Sequence, residues 1–208
     1  MRTILRMPAW LALFAMLAWF QSAQVIAGNL DSAIETYHRG DYQQAYQQFE
    51  PLALHGNANA QFYLAVMYNN GQGVITDISR ATDWLQRAAK SGHAESLYLL
   101  GKFYAAGRGV DQDVGTTRRL WTRAGNKGVL DAQTGLAQFY AAGGKWAQAV
   151  KWWRKAARQG DAESQYRLGL MYQAGRGGLK RNRRSARSWW RKAAAQGHSQ
   201  AKQALDQS

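Results

Sequence analysis

The sequence predicts an all-α protein, a right-handed α-solenoid of about five helix-turn-helix repeats. Three observations carry this prediction. Gly56, Gly92, Gly128, Gly160 and Gly197 recur at spacings of 36, 36, 32 and 37 residues. Tyr68, Tyr104, Tyr140 and Tyr172 keep step, each twelve residues beyond one of those glycines. The hexapeptide Trp-Trp-Arg-Lys-Ala-Ala stands unchanged at 152–157 and at 189–194. Periods of this length mark stacked supersecondary units, none of which buries its apolar face alone.

Residues 1–27 are expected to be a signal peptide and not part of the fold. Arg2 and Arg6 form a basic start, Ala9 to Phe20 is apolar without a break, and Val25-Ile26-Ala27 precedes Gly28 with small residues where a signal peptidase cuts. The apolar run is short for a spanning helix, which needs about 20 residues. A periplasmic or secreted protein is expected; the rival reading is an inner-membrane protein held by an uncleaved N-terminal helix.

The repeat domain then covers 28–208, with units at about 29–56, 57–92, 93–128, 129–160 and 161–197 and a closing helix at 198–206. Each unit reads as two helices. In the first helix of the third unit, Leu100, Gly101, Phe103 and Tyr104 point toward packing partners. Gly101 and Gly169 fall mid-helix, where glycine costs about 1 kcal/mol against alanine, so a neighbouring helix is expected very close there. Gly71-x-Gly73, Gly107-x-Gly109 and Gly175-x-Gly177 end the first helices with backbone angles that other residues resist. Asp77 and Asp113 are placed to cap the second helices. Ala81, Trp84 and Ala88 then follow at helical spacing. The first tryptophans, Trp84, Trp152 and Trp189, are expected to be buried, and the second, Trp153 and Trp190, half-exposed; the four in-step tyrosines are expected in the core.

These residues resemble the Sel1-like repeat, a relative of the tetratricopeptide repeat, with its Leu-Gly, Tyr, Gly-x-Gly-Val, Asp, Ala, Trp, Ala-Ala and closing Gly. Gly71-Gln72-Gly73-Val74 with Asp77 and Gly107-Arg108-Gly109-Val110 with Asp113 match closely. The resemblance covers about 57–197, and 29–56 more loosely. Two units depart from it. Residues 129–160 lack the Gly-x-Gly-Val-x-x-Asp stretch and look like a plain tetratricopeptide unit. The last has Gly178 for Val and Arg181 for Asp, leaving Asn182 as the candidate cap. The resemblance implies an adaptor or scaffold, including exported ones in envelope regulation, exopolysaccharide assembly and host contact. Some cysteine-rich relatives are linked to β-lactam binding, but this chain has no cysteine.

That absence also excludes disulfides, thiolate metal sites and cysteine nucleophiles. His38, His55, His93 and His198 show no metal-binding spacing, and His93 and His198 directly follow phase glycines, which suits a turn. The Gly-x-Gly stretches recur once per full-length unit and lack a preceding strand, so they are turns and not phosphate loops. No catalytic, cofactor or metal site is expected, so the chain reads as a non-enzyme. Export argues against a nucleic-acid partner, although the Trp-Trp-Arg-Lys sequences mix aromatics and cations. A monomer is expected.

Two surfaces are candidates for binding. Counting from each phase glycine, offsets three, seven, ten and fourteen vary most and share one helical stripe. Asn59, Tyr63, Glu95, Lys102, Gln138, Glu163 and Arg167 lie on it, as a groove for a protein or peptide partner in the envelope. The alternative is a simple solvent face. The second surface is basic. Residues 28–100 hold 4 Lys/Arg and 7 Asp/Glu, a net of −3, whereas 101–208 hold 21 and 6, a net of +15. Lys151, Arg154, Lys155 and Arg158 lie within two turns, and Lys180, Arg184, Arg187 and Arg191 follow at three- and four-residue steps. They form a candidate patch for an anionic polymer or surface, such as an acidic polysaccharide, lipopolysaccharide or anionic lipid; a merely soluble basic face is the alternative.

Overall fold

The computed structural model describes residues 29–208; the expected signal peptide and its cleavage site lie outside them. Every regular element among the described residues is a helix. The first, α1, covers 29–38. It is followed by α2 (Tyr42–Leu54), α3 (Ala58–Asn70), α4 (Ile78–Lys90), α5 (Ala94–Ala106), α6 (Val114–Asn126), α7 (Leu130–Ala142), α8 (Trp146–Arg158), α9 (Ala162–Ala174), α10 (Arg183–Ala195) and α11 (Ser199–Asp206). Among the described residues no helix is long and apolar enough to cross a membrane. The chain divides into two compact units, one ending at Ser91 and the other spanning Gly92–Ser208.

Turn chemistry sets the helix boundaries. The phase glycines Gly56, Gly92, Gly128, Gly160 and Gly197 have φ between 84° and 101°, where a side chain is strained. First helices of the full-length type end on a left-handed glycine: Gly71, Gly107 and Gly175 donate to the carbonyls of Met67, Phe103 and Met171. The loops then close on the in-step tyrosines. Asp77, Asp113 and Asn182 donate their amides to the carbonyls of Tyr68, Tyr104 and Tyr172 at 2.9–3.0 Å. The same three residues cap the next helix, their side chains accepting from Arg80, Thr116 and Ser185. His93 and His198 are also more than turn residues. Each places Nδ1 as acceptor for a helix N–H, from Ser96 and Ala201.

In the first unit, α1 to α4 enclose a core of Ala45, Phe49, Leu52, Leu64 and Met67. Half-buried Val74, from the loop between α3 and α4, packs onto it. Gly73 makes that approach possible, because a Cβ there would stand 2.6 Å from the carbonyl carbon of Tyr42. In the second unit, α7 to α10 surround Leu136, Ala149, Val150, Trp152, Trp153, Leu168 and Met171, and Leu179 packs on from the loop before α10. Gly177 repeats the role of Gly73 against Val150 and the Trp146 carbonyl. The loop before α10 is one residue longer than 71–77, so Leu179 takes the place of Val74 and Gly178 is left in the turn.

The tryptophans depart from the expected pattern. Trp190 is 1% and Trp153 5% exposed, whereas Trp84 and Trp189 are half-buried; of the first positions only Trp152 is buried. The reason lies in the opposing helix. Trp121 and Trp190 occupy the same place on α6 and α10, and each lies over a glycine, Gly101 and Gly169, leaving no room for a Cβ. Each indole N–H donates to a carbonyl on the first helix, Trp121 to Tyr98 and Trp190 to Tyr166, both at 3.2 Å. The mid-helix glycines thus admit an indole ring from the same repeat, not a neighbouring helix backbone. The half-buried rings carry cations instead, Arg87 over Trp84 and Lys192 over Trp189 at 4.8 and 4.5 Å.

Buried glutamines join successive repeats, a feature the sequence reading missed. Gln61, Gln133 and Gln165 hold one position on α3, α7 and α9 and donate to the carbonyls of Ala53, Gly125 and Ala157 at 2.8–3.1 Å. Those carbonyls belong to the last turns of the preceding helices, where intrahelical donors run out. Gln159 and Gln196 in turn donate to the side-chain oxygens of Gln133 and Gln165 at 2.8 and 3.0 Å.

Candidate functional site

The candidate groove residues sit on the first helices, and their surroundings differ. In the first unit Asn59 is exposed, but Tyr63 is half-buried. Its ring stacks on Phe49 at 4.7 Å with the planes 4° apart and meets Tyr37 edge-on at 5.1 Å. Tyr63 is therefore committed to the core as well as to the stripe, and burial raises its phenol pKa.

In the second unit Glu95, Lys102, Gln138 and Arg167 are exposed, on α5, α7 and α9. Lys102 holds its ammonium 5.9 Å from the Tyr98 ring. Glu163 is half-buried and occupied by its own structure. One carboxylate oxygen pairs with Arg167 a turn later, and the other accepts from His198 Nε2 at 2.8 Å. Burial alone would raise the Glu163 pKa, but the hydrogen bonds from His198 and Arg167 outweigh it and hold the carboxyl below its ordinary value. Glu163 thus ties α9 to the cap of α11. At the remaining stripe positions Val66, Leu99 and Leu170 are half-buried, and Gly135 lies under the Trp121 ring. The polar side chains that stay outward on the stripe in the second unit are Glu95, Lys102, Asp131, Gln138 and Arg167.

The basic residues form a more definite shape. Lys151, Arg154, Lys155 and Arg158 line one side of an open hollow of about 340 Å³ on α8, and Gly177, Gly178 and Leu179 line the other. Lys180 follows directly in the chain. Lys155 is the most tightly held, its ammonium 4.7 Å from the Trp152 ring and 2.7 Å from Asn126 Oδ1. Arg184 and Arg191 are exposed on α10, and half-buried Arg187 donates to the Ser208 carbonyl. Among the described residues no Asp or Glu side chain pairs with any of these eight cations. The first unit has the same hollow between α2 and the loop that starts at Gly73, but its α2 lining is Gln43, Tyr46 and Gln47, and its one cation, Arg80, is paired with Asp77. The fold makes the hollow, and the fourth repeat makes it cationic. The signal for it was the adjacency of Gly177 and Gly178 to the charge run, which the sequence reading treated as a plain turn.

This geometry defines a helical repeat scaffold: a regular buried frame with varied side chains on its outer faces. The Sel1 repeat family model matches residues 58–93, 94–129, 130–161 and 162–198. The chain belongs to the Sel1 repeat family, whose members are in general scaffolds that bind protein partners. The chain is 34% identical to a Sel1 repeat protein of known structure from Oxalobacter formigenes over 80% of its length, with a TM-score of 0.74. It is 30% identical over 90% of its length, TM-score 0.70, to c5321, a protective antigen present in uropathogenic Escherichia coli strains and displaying an SLR fold. It spans 49% and 43% of those two chains. A Sel1 repeat protein from Klebsiella pneumoniae shares the fold at 21% identity and a TM-score of 0.53, with 89% of this chain and 94% of that one covered. No curated protein matches the chain.

Proposed function

We propose that this protein is a non-catalytic adaptor of the bacterial cell envelope that holds a polypeptide partner on the outer face of its first helices. One observation carries the reading. Positions that recur between repeats are buried or hydrogen-bonded within the frame, whereas the positions of Lys102 and Gln138 (Val66, Lys102, Gln138, Leu170) and of Arg167 (Tyr63, Leu99, Gly135, Arg167) change chemistry from repeat to repeat, and Lys102, Gln138 and Arg167 face outward. The frame engages Glu95 through His93 and Arg167 through Glu163, and among the described residues it places no ion pair on Lys102 or Gln138, which stay open to a partner. Export is supported by the basic, apolar and small-residue order of residues 1–27, and a relative that is a protective antigen accords with it. Mass spectrometry of the exported protein is expected to find Gly28 first; intact Met1 on membrane-bound protein supports the anchored alternative. Capture of a partner from an envelope extract, mapped by substitutions on the stripe, tests the adaptor reading.

The second reading is an anionic glycan or lipid surface bound by the α8 hollow. The observation in its favour is the contrast between equivalent hollows: the one cation of the first, Arg80, is paired with Asp77, whereas the other gathers Lys151, Arg154, Lys155 and Arg158. Cations gathered this closely without carboxylates repel one another, and an anion relieves that repulsion.

A further inference from the structure

The repeat formed by α7 and α8 lacks the long loop of its neighbours, and the place that loop would cover is open. In the first unit Val74 covers the junction of α2 with α3, and Leu179 covers that of α8 with α9. Between α7 and α8 the connection is only Gly143-Gly144-Lys145. At the corresponding junction, α6 with α7, an apolar hollow of about 180 Å³ remains, lined among others by Val114, Trp121, Leu136 and Phe139. The exposures show what the missing cover does. Phe139 is 38% exposed, whereas Met67 and Met171 at the same helix position are 0% and 7%. Val114 is 54% exposed, whereas its equivalents Tyr42 and Trp146 are half-buried.

We infer that this hollow is a socket for a Val- or Leu-sized side chain of a partner polypeptide, presented on a turn beside a carboxylate. The size follows from the two occupants that the same chain places at the equivalent sites, Val74 and Leu179. The carboxylate follows from Arg118, which lines the hollow where the equivalent residues are the neutral Tyr46 and Val150. Among the described residues no carboxylate pairs with Arg118. The inference rests on the scaffold reading and adds a definite anchor point to it, lined by residues other than those that line the basic hollow or face outward on the stripe. Burying one aliphatic side chain there is worth about a tenfold or larger change in affinity.

The test uses a capped peptide of this chain's own covering sequence, Gly-Gln-Gly-Val-Ile-Thr-Asp (71–77), which carries both the aliphatic residue and a carboxylate. The purified protein is labelled with 5-fluorotryptophan, and the Trp121 resonance is assigned by Trp121→Phe. The peptide is expected to shift that resonance, and a peptide with Ser for Val is not. Val114→Asp and Arg118→Glu, both at the solvent edge, are expected to weaken the shift about tenfold or more. Replacing Gly143–Lys145 with the seven-residue loop closes the hollow in cis and is expected to abolish it. No shift at Trp121, or equal shifts with the Val and Ser peptides, overturns the inference while leaving capture on the stripe untouched. A shift that appears with protein concentration alone and vanishes in Ile75→Asp assigns the socket to a second copy of the chain and overturns the separate partner, since Ile75 is itself 90% exposed.

Discussion

Trp190 fills the space that a side chain at Gly169 would need, with its indole N–H on the carbonyl of Tyr166 three residues earlier. One residue type opens the space and the other fills it, and Trp121 repeats the arrangement on Gly101. The glycine costs helix propensity, and the buried indole offsets it.

Gly169→Ala is therefore expected to destabilise the protein by about 1–3 kcal/mol, as overpacking does, although alanine gains about 1 kcal/mol as a helix former. Urea unfolding measures this. Trp190→Phe in the same chain relieves part of the clash, so the double variant is less destabilised than the sum of the singles. A neutral Gly169→Ala would show that this face has room.

A second prediction comes from a gap in the glutamine series. Ser91 stands where Gln159 and Gln196 stand in later repeats, and Gln61 Oε1 is buried without a partner. Ser91→Gln is expected to supply the missing donor and to stabilise the protein by about 1 kcal/mol, the net worth of one hydrogen bond. Thermal unfolding of the two chains checks it; an unchanged or lowered midpoint counts against a transferable clamp.

Recurrence made the frame legible before any coordinates. Only glycine tolerates the angles at Gly56, Gly92, Gly128, Gly160 and Gly197, so their period exposed the repeat. Asp77, Asp113 and Asn182 were equally readable, because capping needs a short acceptor at a set place. Which tryptophan of a pair turns inward was not. Adjacent helical positions differ by about 100°, and an amphipathic indole suits either burial or the surface. Gly169 holds the answer, because a mid-helix glycine makes room equally for a close helix or for an indole ring, and here Trp190 fills it. Gln61, Gln133 and Gln165 were overlooked because a polar residue is not sought in a core. At the candidate site, variation found the outward face, but it did not reveal that Tyr63 stacks on Phe49 or that Glu163 is bound by His198.

Acid is expected to weaken the second unit through His93. Burial lowers its pKa against a smaller opposing effect from Glu95, and its Nδ1 accepts from Ser96 N–H, which a doubly protonated ring cannot do. The folded pKa therefore lies below the unfolded value of about 6.5, and the unfolded chain binds more protons between the two. Stability from His93 is complete above the unfolded value and is lost as pH falls through the folded one. His93→Asn keeps a cap without titrating. The wild-type chain should lose more stability than this variant from about pH 7.5 to 5.5; parallel losses would remove His93 as the cause.

The basic residues of α8 and α10 make a prediction about salt. Binding to an acidic polysaccharide or to anionic vesicles is expected to fall steeply with ionic strength, because screening reaches about 8 Å at physiological salt. The combined Arg154→Glu, Arg184→Glu, Arg187→Glu and Arg191→Glu variant should lose that binding and keep its helical circular dichroism spectrum. If the variant binds as well as the wild type, the basic face is only a soluble surface.

The most direct test of the adaptor reading is quantitative capture from an envelope extract by the immobilised protein, compared with a variant carrying Lys102→Glu, Gln138→Lys and Arg167→Glu. All three residues are exposed on first helices of the second unit, so the fold should persist, with the lost Arg167–Glu163 pair lowering the unfolding midpoint by only a few degrees. The account predicts a saturable protein partner held by the wild type and depleted about tenfold or more by the variant. Equal capture by both chains would contradict it and would place the partner elsewhere on the repeat.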